Sequence, residues 1–239
     1  MSTPPISYKR HRFPPDIIAH AVWLYCRFNM SLREVEELLL ERRIDVSYET
    51  IRRWVAKFGP VTARGLRRRQ PQPGDIWHLD EVVVTIKGRK FWLWRAVDQN
   101  GVILNEILQC RRDTKAAKRL LLRLMKKHNC TSKRIITPSR DIAFAMHCRA
   151  MDKLRSYGAA KREIAPGVEH RSHKGLKNRA ENSHLPFRKR KRVMQGYRSP
   201  GSLQRFVTIH SAVRNCFSVP ARSRSALTIR YRRLEAFDA

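Results

Sequence analysis

The sequence predicts an α/β chain in which an all-α domain precedes a larger domain built on a mixed sheet. Apolar residues recur at helical spacing between Asp16 and Phe58, whereas the pattern changes to that of β-strands from Asp75 onward. Between the two regions, a basic stretch interrupted by prolines indicates a linker. We therefore expect a helical domain over residues 1–62, a linker over 63–74, an α/β domain over 75–220 and a basic tail over 221–239.

Three helices are expected in the first domain. The segment DIIAHAVWLYCRF has apolar residues at helical spacing. In the next segment, SLREVEELLLERR, Ser31 and Glu34 stand three residues apart, as in a capping box, so a second helix begins there. Ser47 caps a third helix, SYETIRRWVAKFG, which we expect to end at Gly59–Pro60. Three short helices in this order are typical of a helix-turn-helix module.

The third helix is the candidate DNA-reading element of that module. In helix-turn-helix proteins, the N-terminal residues of this helix face base edges in the major groove. The alternative is a small helical bundle whose basic face is only solvated. The candidate contact residues are Ser47, Tyr48, Thr50, Arg52, Arg53 and Lys57.

The charge of the chain favours nucleic acid as its partner. Its 51 Lys and Arg residues against 20 Asp and Glu residues give a formal net charge of +31. So large an excess repels itself in the compact state unless a polyanion binds. There is no run of 18 apolar residues, and the N-terminal segment lacks the apolar core of a signal peptide, so we expect a cytosolic protein without a membrane partner. A basic RNA- or ribosome-associated protein is an alternative that explains the charge alone.

Three consecutive antiparallel strands open the second domain. The segments IWHLDEVVVTI, KFWLWRAVD and VILNEILQC are joined by the turn sequences KGR and QNG. A helix, DTKAAKRLLLRLMKKHN, and a short strand, KRIIT, follow. Three antiparallel strands, a helix and a further strand form the opening of a ribonuclease H-like domain with a mixed sheet. The remaining segments predict a helix at DKLRSYGAAKREI, a strand at VEHRSH and a long basic helix at NRAENSHLPFRKRKRVMQGYR.

Three carboxylates stand where such a domain would hold metal ions. Asp80 lies in the middle of the first strand, Asp152 opens the DKLRSYGAA segment, and Glu181 lies in the first turns of the basic helix. We expect these elements to converge at one end of the sheet. Three carboxylates brought together need a cation, and oxygen ligands select Mg²⁺ or Mn²⁺. Two such ions about 4 Å apart would activate an attacking oxygen and stabilise a leaving one in phosphodiester chemistry.

Glu81 has a different expected role, although it follows Asp80 directly in the sequence. Successive side chains of a strand point to opposite faces of the sheet, so Glu81 points away from Asp80. A carboxylate in a strand interior loses its hydration and needs a partner. We therefore expect Glu81 to pair with a nearby arginine rather than to bind a metal ion.

These residues resemble a known family of enzymes. The segments WHLDEVVVTIKGRKFWLWRAVDQNG, DKLRSYGAAKRE and NRAENSHLPFRKRKR are similar to those of the DDE transposases of the insertion-sequence-six family, and the resemblance covers nearly the whole chain. It implies that Asp80, Asp152 and Glu181 form the DDE triad of a Mg²⁺-dependent enzyme. The implied reaction is cleavage at the terminal inverted repeats of a mobile element, with transfer of the freed 3′-OH into target DNA. Members of the family are associated with replicative transposition through cointegrates, and DDE enzymes act on paired ends as multimers.

Two basic residues of the last predicted helix are further candidates for DNA contact. Arg188 lies seven residues, two helical turns, beyond Glu181 and therefore on the same helix face. DDE transposases carry a basic residue at this offset, and the resemblance implies a phosphate contact for Arg188 with Lys189 beside it in the RKRKR cluster. The alternative is that these residues form a solvated helix face. Phosphate contact would make DNA affinity fall steeply with salt.

One departure from the family pattern concerns the second acid. In members that resemble this chain, the strand RIIT leads directly into the aspartate of DKLRSYGAA, whereas here Pro138–Met151 separate Thr137 from Asp152. The insert either loops out and leaves Asp152 in place, replaces it with Asp141, or separates the triad. The last case would leave a catalytically inactive DNA-binding relic. We favour Asp152 over Asp141, because Asp141 lacks the surrounding motif.

Overall fold

The computed structural model describes residues 7–68, 72–129, 132–137, 155–171, 179–218 and 225–237. The helices in these ranges are α1 (Pro15–Arg27), α2 (Leu32–Glu41), α3 (Tyr48–Arg68), α4 (Thr114–His128), α5 (Arg155–Ile164), α6 (Arg179–Val193), α7 (Pro200–Cys216) and α8 (Ala226–Phe237). The strands are β1 (Ile76–Ile86), β2 (Arg89–Asp98), β3 (Ile103–Gln109), β4 (Arg134–Ile136) and β5 (Glu169–Arg171). Within the described residues, no helix is both long and apolar enough to cross a membrane.

The first two helices begin where the sequence predicts. Helix α1 has Pro15 at its first position, where a missing N–H costs nothing. Helix α2 begins after Ser31, whose side chain accepts from the Glu34 N–H while the Glu34 carboxylate accepts from the Ser31 N–H. The predicted capping box is therefore confirmed.

Helix α3 does not end at Gly59–Pro60, and the predicted end is wrong. The helix continues through both residues to Arg68, and so includes the first six residues of the predicted linker. A proline in a helix interior costs about 3 kcal/mol, and burial of Ala63 and Leu66 beyond it offsets that cost. At Gly59 a Cβ would lie 2.7 Å from the Ile209 side chain of α7, so the missing side chain lets the two helices pack closely.

The five strands form one sheet in the order β3-β2-β1-β4-β5. Strand β2 pairs antiparallel with both β1 and β3, whereas β4 is parallel to β1 and β5 is parallel to β4. The predicted mixed sheet with three antiparallel strands first is confirmed, and this topology is ribonuclease H-like.

Helices cover both faces of the sheet. On one face, α4 and α5 pack against side chains that include Trp77, Leu79 and Trp94. On the other face, one core joins Val84 and Leu93 of the sheet to α6, α7 and the three N-terminal helices. The N-terminal helices are therefore packed against the α/β domain through a shared core.

Candidate active site

Asp80 lies in the central strand of the sheet within a row of charged residues. In the antiparallel register Asp80 is opposite Arg95 of β2, and Arg95 is opposite Glu106 of β3. Directly opposite residues of antiparallel strands share a face of the sheet. The side chain of Asp80 is 14% exposed, so its carboxylate is near the surface while the strand fixes its position. The row places a buried cation between two carboxylates.

Arg95 joins this row to helix α6. Its guanidinium is 1% exposed and donates from Nε to Glu106 Oε1 over 2.7 Å. From Nη1 it donates to the main-chain carbonyl of Ser183 and, over 3.3 Å, to the Ser183 hydroxyl. A hydrogen-bonded ion pair held in this way fixes α6 against β2, beside the strand that carries Asp80.

His184 of α6 lies against Asp80. Its side chain is fully buried, with 3.5 Å between His184 Nε2 and Asp80 Oδ2. Burial, followed by the charges of Arg95 and Arg188, holds the pKa of His184 well below its ordinary value. The imidazole is therefore neutral near pH 7, so it does not pair with Asp80 as a cation.

Of the other two predicted carboxylate residues, the described part of the chain includes the backbone of Glu181 but not Asp152. Glu181 lies in α6, three residues before His184, so its backbone belongs to the helix that packs beside Asp80. Asp152 and the alternative Asp141 lie outside the described residues. Among the residues described, no cluster of three or more His, Cys, Asp or Glu side chains could hold a metal ion. Asp80 is thus the one predicted ligand whose side chain has a described position.

Glu81 lies on the opposite face, as predicted. Its carboxylate forms an ion pair with Arg112 and accepts from the Tyr157 hydroxyl over 3.0 Å. The Arg112 guanidinium also lies over the Trp92 ring, with 4.9 Å between its Cζ atom and the ring centroid. Burial raises the pKa of Tyr157 well above its ordinary value, so its hydroxyl remains a donor. The expectation that Glu81 pairs with an arginine is confirmed.

The residues predicted to read DNA lie at the start of α3. Ser47 Oγ accepts from the Thr50 N–H over 3.4 Å and so caps the helix, as expected. Tyr48 is 41% exposed and donates its N–H to Glu36 of α2 over 2.9 Å. The cations are exposed: Arg52 and Arg53 both pair with Glu49, and the Lys57 ammonium lies 2.9 Å from His11 Nε2.

The basic cluster of α6 is not one uniform face. Arg188 and Lys189 are exposed, in agreement with a role in phosphate contact. Arg190, in contrast, is fully buried and donates to the main-chain carbonyls of Tyr25 and Phe28, over 2.6 and 2.7 Å, and to that of Met30. The interpretation of the whole cluster as a solvated or phosphate-binding face is therefore wrong for Arg190.

A sequence signal for this burial exists. Ala180, Ser183, Phe187 and Arg190 recur at intervals of three or four residues and are all buried, as expected for one helix face. Arg190 continues that stripe. Sequence reasoning also missed Arg95, which stands at an alternate position of β2 next to the buried Trp94 and Ala96. In both cases an arginine occupies a core position where an apolar residue would be expected.

Comparison with known proteins adds a family and several relatives. A family model described as a DDE domain, of the IS240 type, matches residues 74–219. Two curated Staphylococcus aureus proteins, the transposase for the insertion sequence-like element IS431mec and the transposase for IS257 in transposon Tn4003, are each 32% identical over 149 residues. Each alignment covers 61% of this chain and 66% of the relative. The chain thus spans just under two thirds of the length of these relatives.

Solved structures with a similar arrangement include retroviral integrases. The HTLV-2 integrase catalytic core domain in complex with magnesium, in its trimeric form, has a TM-score of 0.38 at 15% identity, over 60% of this chain and 85% of that chain. The BIV integrase catalytic core domain has a TM-score of 0.40 at 12% identity, over 59% of this chain and 83% of that chain.

Proposed function

Because the chain belongs to the DDE transposases of the insertion-sequence-six family, we propose that it is a polynucleotidyl transferase that moves an insertion sequence. It binds the terminal inverted repeats of the element, cleaves the DNA at its ends and transfers the 3′-OH into target DNA. The observation that carries this proposal is the position of Asp80, whose partly exposed carboxylate lies on the central strand beside α6.

The proposed catalytic groups are Asp80, Asp152 and Glu181. A strand in the middle of a sheet holds a ligand more rigidly than a loop does, and Arg95 braces the adjoining helix through Ser183. Glu181 precedes Ser183 by two residues in that helix, so the same brace supports the third carboxylate. Asp152 completes the set by its place in the family motif.

The chemistry of Asp80 fits a hard divalent cation. Its carboxylate oxygens are ligands of the kind that Mg²⁺ and Mn²⁺ prefer, and the neutral imidazole of His184 does not compete as a cation. Glu81 does not fit, since Arg112 and Tyr157 already bind its carboxylate on the other face. Asp80, Asp152 and Glu181 would hold two ions, whose charge would stabilise the attacking and leaving oxygens of a phosphodiester.

The remaining parts of the chain position the DNA. The start of α3 reads the terminal repeat with Ser47, Tyr48, Thr50, Arg52, Arg53 and Lys57. On α6, the exposed Arg188 and Lys189 contact phosphates beside the catalytic carboxylates. The active unit is at least a dimer, which holds two ends of the element together. It acts in the cytoplasm, on the DNA of the bacterial nucleoid.

The experiment is Mg²⁺-dependent nicking and strand transfer on a labelled DNA end that carries the terminal repeat of the element. The native chain is compared with Asp80→Asn, Asp152→Asn, Asp141→Asn and Glu181→Gln. Asp75→Asn is the matched control, because Asp75 is an exposed acid five residues before Asp80 that pairs only with a surface lysine in the described structure.

The outcomes separate the proposed enzyme from its alternative. We expect activity in the native chain and in the Asp75 and Asp141 variants, with loss in the other three. Loss in Asp141→Asn and not in Asp152→Asn would transfer the second role to Asp141. A native chain that binds the repeat but never nicks it would be the catalytically inactive relic, and would overturn the proposed reaction.

A further inference from the structure

A cleft of about 400 Å³ lies at the outer edge of the sheet, along β3. Strand β3 is separated from β1, which carries Asp80, by β2. The cleft is therefore two strands away from Asp80, although Glu106, the far member of the row of charged residues that contains Asp80, is part of its lining. Its walls come from α3, α4, β3 and α7. Its charged and amide side chains are Arg67, Arg123, Lys126, Lys127, Glu106, Asn105 and Gln204.

Positive charge dominates this cleft. Four of its lining residues are cations, whereas Glu106 is its one carboxylate. The charge of Glu106 is already compensated, because Arg95 donates to Glu106 Oε1 over 2.7 Å. The lining therefore carries four cations and no carboxylate whose charge is left to balance them.

Lys127 of this cleft is partly desolvated and lies near other cations. Although Lys127 is an exposed residue, its ammonium donates to the main-chain carbonyl of Leu104 over 2.6 Å. Desolvation of the ammonium lowers the pKa of Lys127 to about 8, with further lowering by Arg67 and Arg123 and an opposing effect of Glu106. An anion placed among these groups would favour the charged form of Lys127, and the charged lysine would in turn favour the anion.

A peptide strand is not the expected occupant, although β3 is an edge strand. The Asn215 side chain accepts from the Ile103 N–H and donates to the Ile103 carbonyl, in both cases over 2.8 Å. The Gln204 side chain accepts from the Leu108 N–H over 2.8 Å and donates to the Glu106 carbonyl over 3.2 Å. These side chains occupy main-chain groups that an added strand would need.

We propose that this cleft binds a backbone phosphate of duplex DNA, as a contact separate from the start of α3 and from the Asp80 region. Arg67 supplies a guanidinium from one wall, and Arg123, Lys126 and Lys127 supply charge from the other. Such a contact neutralises phosphates and reads no sequence. It rests on the proposed function only in that DNA is the ligand, and it needs no catalysis.

The first test uses the full chain and a short duplex without a terminal repeat. The variant Arg123→Gln/Lys127→Gln removes two cleft cations. The control Arg89→Gln/Lys90→Gln removes the same charge from exposed residues at the β1–β2 turn. We expect the cleft variant to bind roughly tenfold more weakly than the control. The slope of its log affinity against log salt concentration should also be shallower, by the amount that about two phosphate contacts contribute. Equal affinity and equal slope in the two variants would overturn the proposal.

The second test identifies the ligand at Lys127 itself. In protein with ¹³C-labelled lysine, the Cε resonance of Lys127 reports its pKa, which is about 8 in the free chain. We expect the duplex to raise this pKa and the control variant to respond as the native chain does. A rise with inorganic phosphate but not with duplex would identify a site for small anions and overturn DNA as the occupant. If the duplex raises the pKa of Lys127 but the native chain performs no strand transfer, the proposed function is contradicted and the DNA contact is not.

Discussion

The guanidinium of Arg190 in α6 donates a hydrogen bond to the main-chain carbonyl of Tyr25 in α1 over 2.6 Å. The Arg190 Cζ atom also lies 4.4 Å from the centroid of the Tyr25 ring, so the cation stacks on the same residue that accepts its hydrogen bond. Burial lowers the pKa of Arg190, but an arginine remains charged. The helix of the proposed third carboxylate and the first helix of the chain are therefore connected by one buried cation.

Arg190→Met is expected to destabilise the chain by about 3 kcal/mol. Methionine fills much of the volume but leaves the carbonyls of Tyr25, Phe28 and Met30 without their donor. The free energy of unfolding in urea measures the loss. Arg192→Met is the matched control, since Arg192 is exposed on the same helix. Equal effects of the two substitutions would show that the buried contacts of Arg190 add nothing to stability.

Arg95 and Glu106 are expected to behave as one unit. Arg95→Met leaves the buried Glu106 carboxylate unpaired, which costs about 3–5 kcal/mol. In Arg95→Met/Glu106→Leu no buried charge is left alone, so we expect the double variant to be more stable than the single one. A double-mutant cycle by urea unfolding measures the coupling. Additive effects of the two substitutions would contradict the pairing.

The adjacent acids Asp80 and Glu81 are expected to respond in opposite ways. Asp80→Asn should abolish strand transfer while unfolding changes little, since the carboxylate is partly exposed and its proposed role is to bind a metal ion. Glu81→Gln should cost about 2 kcal/mol of stability, because Arg112 and Tyr157 lose the charge they bind. Urea unfolding and strand transfer are measured on both variants. A Glu81→Gln protein that keeps its stability but loses strand transfer would assign catalysis to the face of Glu81 and not to that of Asp80.

His210 of α7 is expected to make the fold sensitive to acid. Burial first, and then Arg95, Arg214, Arg190 and Arg27, lower its pKa from 6.5 to about 3. Below pH 6.5, His210 therefore binds a proton in the unfolded chain but not in the folded chain. The free energy of unfolding falls as the pH drops from 6.5 toward 3. One such group contributes a slope of up to about 1.4 kcal/mol per pH unit.

The variant His210→Gln tests this dependence. We expect the variant to lose less stability than the native chain between neutral pH and pH 4. His20→Gln is the control, because His20 is exposed on α1. Urea unfolding at a series of pH values gives the comparison. Parallel pH profiles for the native chain and His210→Gln would mean that His210 does not carry the effect.

Sequence reasoning predicted the elements that depend on local pattern. The alternation around Asp80 and Glu81 predicted both the first strand of the sheet and the opposite directions of the two acids, and the contact of Glu81 with Arg112 confirms the latter. The capping box at Ser31 likewise fixed the start of α2, because its partners lie within one turn. Such signals need no knowledge of the tertiary structure.

The features that sequence reasoning missed depend on contacts between distant segments. Arg190 was interpreted as part of a surface cluster and Arg95 was not singled out, because arginine is rarely buried. Yet Arg95 binds Ser183, 88 residues on, and Arg190 binds Tyr25, 165 residues back. Gly59–Pro60 predicted a helix end, but packing on α7 outweighs this local preference. Asp80, Asp152 and Glu181 all stay predictions as metal ligands.

Because α3 continues through Gly59–Pro60, it fixes the distance between its two ends. Its 21 residues span about 31 Å, from the proposed reading end at Tyr48 to Arg68, the neighbour of Arg67 in the cleft at the sheet edge. A straight duplex gains about 3.4 Å per base pair, so this distance corresponds to roughly nine base pairs. A single duplex that contacts both ends of the helix must therefore be longer than the site that the reading end recognises, and its flanking sequence is free to vary.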